Sequence, residues 1–170
     1  RCYIATDRGR LMLSIPIQHV GGATGRQPYR DVRLENSYPW QRQHWRSLET
    51  AYRAAPFFEY FEADLRPLFE NSFTFLLDLN LATIERLCTL LELPFPDDRT
   101  TSYDTDPEGV QDARQLIEAK GRDAWPVPRY TQVFQERHGF LPNLSTLDLL
   151  FNEGTAAVEY LRSLQLPWHG

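Results

Sequence analysis

Apolar positions along this chain change their spacing once, near residue 38. Between residues 2 and 34 they alternate with polar ones and are interrupted by turn chemistry, the signature of short half-buried strands. CYIA (2–5), LMLSIPI (11–17) and YRDVRL (29–34) read as strands. DRGR (7–10) is a tight connection between the first two, and the Gly-rich HVGGATG (19–25) a longer loop before the third. Pro16 cannot donate to a ladder, so the second run is expected to end, bulge or form an edge there.

From Pro39 the spacing becomes three and four. Trp40, His44, Leu48, Ala51 and Tyr52 share one face of a helix that Pro39 can open and that stops near Pro56. A second helical segment is expected from Phe57 to about Leu65, broken at Pro67 by the missing amide. The run 73–79 is ambiguous. A further helix is expected over about 81–91 with Asn80 as its cap, ended by LPFPDD (93–98). TTSYD (100–104) is read as a strand returning to the sheet, 111–119 as a helix, and PVPRYTQVF (126–134) as extended, because Pro126 and Pro128 bias their neighbours toward the β region. Ser145 with Asp148 three residues on fits a helix start: the hydroxyl can accept from an orphan amide, and the carboxylate sits where the dipole favours negative charge. Leu147, Leu149, Leu150 and Phe151 supply the buried face, 152–154 the stop, and Thr155 a cap for a last helix carrying Ala157, Val158, Leu161 and Leu164. The pattern predicts an α+β fold: a small, mostly antiparallel N-terminal sheet packed against a set of α-helices.

Composition narrows the function classes. A chain of 170 residues, 42% hydrophobic and 13% aromatic, is long enough for one substantial core and too apolar for disorder. A net charge of -5 disfavours nucleic acid as a partner, and no stretch approaches the roughly 20 apolar residues of a membrane span. Of the 18 Lys and Arg residues all but Lys120 are arginine, whose planar bidentate contacts suit an anionic ligand, although codon bias explains the same count. Cys2 and Cys88 lie far apart, so no disulfide framework is implied, and Cys88 on an apolar helix face reads as an inert buried thiol.

His138 followed by Gly139, with Asn143 beyond, is the leading candidate for chemistry: the glycine allows a close turn, so the imidazole can act as acid or base while the Asn143 amide orients a ligand. The alternative is a latch in which both satisfy backbone groups. Trp40, His44, Arg137 and Asp148 are the candidate ligand-binding residues. His44 lies one turn from Trp40 and beside Trp45, with Arg42 and Arg46 on adjacent faces, an arrangement that suits a sugar or base, although tryptophans and a histidine on an apolar helix face more often form a packed core. The spacings HxxxH, HExxH and CxxC are absent, so no metal is expected, and there is no GxSxG elbow. HVGGATGRQ lacks the Lys-Ser/Thr end of a phosphate loop. No cofactor is implied, and Asp97, Asp98, Asp104, Asp106 and Glu108 read as a solvated loop.

A linked series of segments resembles the WbqC-like protein family: RCYIA at the start, the PI of LMLSIPI, DVRL, PWQRQHW, AYRAAPFFEYF and TQVFQERHGFLPNLSTLDLLFNEG, in the family's order and over nearly the whole chain. The matching positions are Arg1, Trp40, His44, Trp45, Tyr52, Phe57, His138, Gly139, Asn143, Asp148 and Asn152. Similar members open with a segment rich in tyrosine and proline whose closing Asn-Arg pair matches Arg1, so residues 1–170 are expected to be a single domain lacking its native N-terminal segment. The resemblance implies a cytoplasmic, transferase-like enzyme of surface-polysaccharide biosynthesis acting on sugar-nucleotide or acyl/amino-donor substrates, with a small anionic or sugar-nucleotide ligand. The alternative is a noncatalytic binding or assembly protein, with a homo-oligomer or protein partner meeting an aromatic surface. A pocket joining His138, Asn143 and His44 would favour the enzyme, and an exposed patch of Phe57, Phe58 and Tyr60 the partner.

Overall fold

Strands β1 (Cys2–Thr6) and β2 (Gly9–Leu13) pair antiparallel from Cys2 opposite Leu13 to Thr6 opposite Gly9, joined through Asp7 and Arg8. The Thr6 hydroxyl fixes the turn, donating to the Gly9 carbonyl at 2.8 Å and accepting from the Arg8 amide at 3.2 Å. The hairpin belongs to a computed structural model that describes residues 1–19, 27–117 and 126–165. Among the described residues it is the whole sheet. β1 gains no second partner strand because two of its outer backbone groups are already engaged: the Ser145 amide donates to the Tyr3 carbonyl at 2.7 Å, and the Ala5 amide donates to the Tyr52 hydroxyl at 3.0 Å.

The expected second strand stops at Leu13, ahead of Pro16, and the expected third is not a strand. Tyr29–Asp31 forms a 3-10 turn, and the rest of that segment makes two single bridges, Ile17 to Leu34 and Arg33 to Phe75. The Leu34 amide bonds the Thr74 carbonyl and the Leu76 amide bonds Val32, both at 2.9 Å, so the segment splices the chain before β2's extension to the start of a helix.

Helix α1 (Trp40–Tyr52) follows Pro39 and buries Trp40, Trp45, Leu48, Ala51 and Tyr52. α2 (Phe58–Leu65) buries Phe58, Phe61 and Leu65, and Pro67 opens the short α3 (Pro67–Glu70), where its missing amide costs nothing. α4 (Leu76–Leu90) begins four residues before the expected cap: Asn80 lies inside it, its side chain bonded to the Tyr29 hydroxyl. TTSYD forms no strand. Of the helix expected at 111–119, residues 111–113 are not helical and Arg114–Ile117 form a 3-10 turn, while 118 and 119 lie outside the described residues, as does most of the Gly-rich loop. Residues 126–132 form neither helix nor strand, then one turn, α5 (Gln135–His138), ends at Gly139 with φ 69°.

Ser145 caps α6 (Thr146–Glu153), its hydroxyl accepting from the Leu147 amide at 3.3 Å. Gly154 ends it at φ 58°, and a 3-10 turn carrying Thr155 leads directly into α7 (Ala157–Ser163). The main core joins the inner face of the hairpin to α1, α2 and α6 through Ile4, Leu48, Tyr52, Phe58, Phe61, Leu65, Leu150 and Phe151. A smaller cluster of Leu34, Trp40 and Leu79 sits beneath the bridged segment. The architecture is α+β, and no described helix is long and apolar enough to cross a membrane.

Candidate functional site

A cavity of about 210 Å³ opens where the free ends of the hairpin meet the first turns of α1. Its wall is mostly aliphatic and aromatic, built by Leu13, Ile15, Leu65, Leu68, Phe69 and Leu87, with Trp40 and His44 one helical turn apart on α1. The polar groups reaching it are few: Arg1, Cys2, His44, Asn80, Thr83 and Ser145. Trp40 is locked from behind, because its indole N–H donates to the Asn36 side chain at 3.2 Å and that side chain donates to the Phe73 carbonyl at 2.8 Å. The His44 ring stands edge-on to the indole, centroids 5.3 Å apart. Burial lowers the His44 pKa, outweighing a hydrogen bond to the Ser14 backbone that favours the charged ring. The imidazole is therefore neutral at physiological pH, with a lone pair available to accept a proton. Burial also raises the Cys2 thiol, against a hydrogen bond with Ser145, so the thiol stays protonated.

A second polar centre lies deeper and is closed to solvent. The Asp148 carboxylate, 0% exposed, accepts from the Tyr52 hydroxyl at 2.6 Å, from the Tyr130 hydroxyl at 2.6 Å and from the Gln132 amide at 3.3 Å. Gln132 is clamped in turn, since its side chain donates to the Leu141 carbonyl and accepts from the Leu141 amide, both at 2.9 Å. Burial raises the Asp148 carboxyl above the ordinary range despite these three donors, and burial together with the nearby carboxylate pushes both tyrosines up. The group fastens β1, α1, the 130–141 segment and α6 to one point.

The residues singled out in the sequence separate into distinct places. Trp40 and His44 share the cavity. His138 is exposed, its Nε2–H donating to the Asp7 carbonyl at 3.0 Å. Asn143 is exposed at φ 56° beside a smaller recess of about 110 Å³ lined by Tyr130, Tyr160 and Leu161. Arg137 is exposed on α5, and Asp148 is buried in the tyrosine cluster. Among the described residues, His44 lines the main cavity, Asn143 the smaller recess, and His138 neither. The aromatic run is turned inward too: Phe58 is 0% exposed, Phe57 packs on Gly154, and Tyr60 alone stands out at 70%. Reading the sequence missed Cys2, Asn80, Thr83 and Ser145 as cavity neighbours, because they come from three elements, β1, α4 and the cap of α6, that are far apart in sequence.

The chain is 29% identical over 185 residues to the uncharacterized protein Rv1507c of Mycobacterium tuberculosis (strain ATCC 25618 / H37Rv), an alignment spanning 94% of this chain and 79% of that protein. No solved structure matches. The model of the WbqC-like protein family matches residues 1–127, which contain the hairpin, α1 and both cavity residues foreseen from the sequence, and the chain belongs to that family.

Proposed function

We propose that this protein is a transferase-like enzyme of surface-polysaccharide biosynthesis in the cytoplasm, whose cavity receives the small apolar part of an acyl or amino donor. The observation that carries this reading is the neutral His44 imidazole presented to a mostly apolar cavity beside the Trp40 indole. A base in such a place can take the proton lost by an acceptor nitrogen or oxygen as the acyl group moves onto it from a thioester, the C–S bond breaking and the departing thiolate receiving that proton. At about 210 Å³ the cavity falls below the roughly 300–1,000 Å³ of sites that enclose drug-sized ligands, so it suits a short acyl group and leaves any nucleotide outside. Asn80, on α4, has a second amide N–H beyond the one bonded to Tyr29 to donate to the carbonyl end, whereas the Thr83 hydroxyl beside it donates to the Leu79 carbonyl at 2.7 Å.

The test uses short acyl-pantetheine thioesters, with an amino-sugar nucleotide as acceptor. Titration should shift the NMR signals of the His44 ring and the Thr83 methyl. His44→Gln should lower transfer by about a hundredfold or more, the range of a lost general base, while fragment binding stays within about threefold. Equal rates for wild type and His44→Gln, no transfer by the wild type, or shifts confined to other residues would each remove the proposal.

A further inference from the structure

The hairpin and α1 that frame the cavity enclose a second, larger depression at their other ends. It measures about 510 Å³ and lies between the β1–β2 turn and the C-terminal half of α1, with Phe134 and Leu11 as its apolar part. Arg8 and Arg10 reach it from the turn, and Arg46 from α1, beside the hydroxyls of Ser47 and Thr50. Among the described residues none of these three guanidinium groups is paired with a carboxylate. Asp7 is the one acidic residue in the lining, which leaves an excess of two positive charges.

The Arg10 group and the turn that carries Arg8 are held in place. Arg10 lies over the Tyr3 ring, 5.4 Å from its centroid, and donates to the Pro142 carbonyl, which leaves the remaining N–H groups of its five free for a ligand. The Thr6 hydroxyl bonds set the conformation that carries Arg8, and His138 ties the same turn to α5 through the Asp7 carbonyl. Three arginines lining one depression in a chain of net charge -5 are a local reversal of the protein's field.

We infer that this depression binds the diphosphate group of a small-molecule ligand, held by Arg8, Arg10 and Arg46. Forked guanidinium donors match the paired oxygens of a phosphoanhydride, and the excess of two positive charges in the lining is that of a diphosphate diester in opposite sign. The site stands apart from the cavity at His44: along α1 the two groups of lining residues are centred about 10 Å apart.

The experiment titrates inorganic pyrophosphate, orthophosphate and malonate into the full chain by calorimetry, with backbone amide shifts recorded for residues 6–10. Pyrophosphate should bind at least tenfold more tightly than the other two and move those amides. Arg46→Gln and Arg8→Gln should each weaken it at least tenfold while binding of the acyl-pantetheine fragment at the cavity is unchanged. Both side chains are exposed, and thermal melts should match the wild type. Pyrophosphate binding no tighter than orthophosphate or malonate, or binding equal to wild type in both variants, overturns the inference. His44→Gln leaves pyrophosphate binding intact if the inference holds, so failure of the cavity reading and failure of this one give different patterns.

Discussion

Asp148 shows how one side chain can be legible in type and illegible in role. Its place three residues after Ser145 reads as the acidic partner of a helix start, and the helix does start there; yet the carboxylate turns inward to Tyr52, 96 residues away, and to Tyr130. No local spacing encodes a contact of that separation. The consequence for stability is direct. Asp148→Ala leaves donors from Tyr52, Tyr130 and Gln132 without their acceptor, at about 1–3 kcal/mol for each one kept from water; Gln132 retains its Leu141 bond, so the loss in urea unfolding should be about 3–5 kcal/mol. Asp148→Asn keeps an acceptor and removes the charge. Because the folded carboxyl titrates above its unfolded value, its contribution to stability is fully present below the ordinary carboxylate pKa of about 4 and is lost as pH rises through the folded value. Unfolding curves from pH 3.5 upward should therefore show wild type losing stability relative to Asp148→Asn as the pH rises. A difference that is flat across this range would contradict the raised pKa.

Elements whose boundaries are set by their own residues were readable, and those set by distant partners were not. α1 and α6 carry their start signals and their apolar faces in sequence, and both lie where the pattern puts them. α4 begins early because the Leu76 amide finds Val32 across a bridge, so Asn80 is free to bond Tyr29 instead of capping. The third strand fails for a related reason: the Tyr29–Asp31 turn uses amides that a ladder would need. The junction between α6 and α7 is the most constrained of these boundaries. Gly154 has φ 58° and ψ -129°, and a Cβ built there would lie 2.6 Å from the Phe57 ring. That ring belongs to the residue whose amide bonds the Phe151 carbonyl at 3.0 Å, so it has little freedom to retreat. Gly154→Ala should cost about 2–5 kcal/mol by chemical denaturation, combining backbone strain with overpacking. A loss below about 1 kcal/mol would mean that the α2 entrance relaxes freely.

Across the whole molecule, one hairpin and one helix bound both depressions: the apolar cavity at the strands' free ends and the arginine-lined one at their turn. The sequence carried half of each. Trp40 and His44 were visible as an i, i+4 pair and Arg46 as their neighbour, whereas Cys2, Ser145, Arg8 and Arg10 join them only once the hairpin is folded against α1. The His138 loop drew attention through its glycine and its polarity, and its geometry puts it against the turn at Asp7 and not beside His44. The hairpin itself is secured from outside by the Tyr52 hydroxyl on the Ala5 amide, so that amide's protection from deuterium depends on a side chain anchored in another helix. Ala5 should exchange with the slow amides of the central core in wild-type protein, and in Tyr52→Phe its protection should fall by at least tenfold more than that of Leu48, a residue within α1. Equal losses at both positions would indicate global destabilisation alone. A single exchange peak can thus report, in solution and without any ligand, whether the sheet and the helix that together frame both depressions are joined.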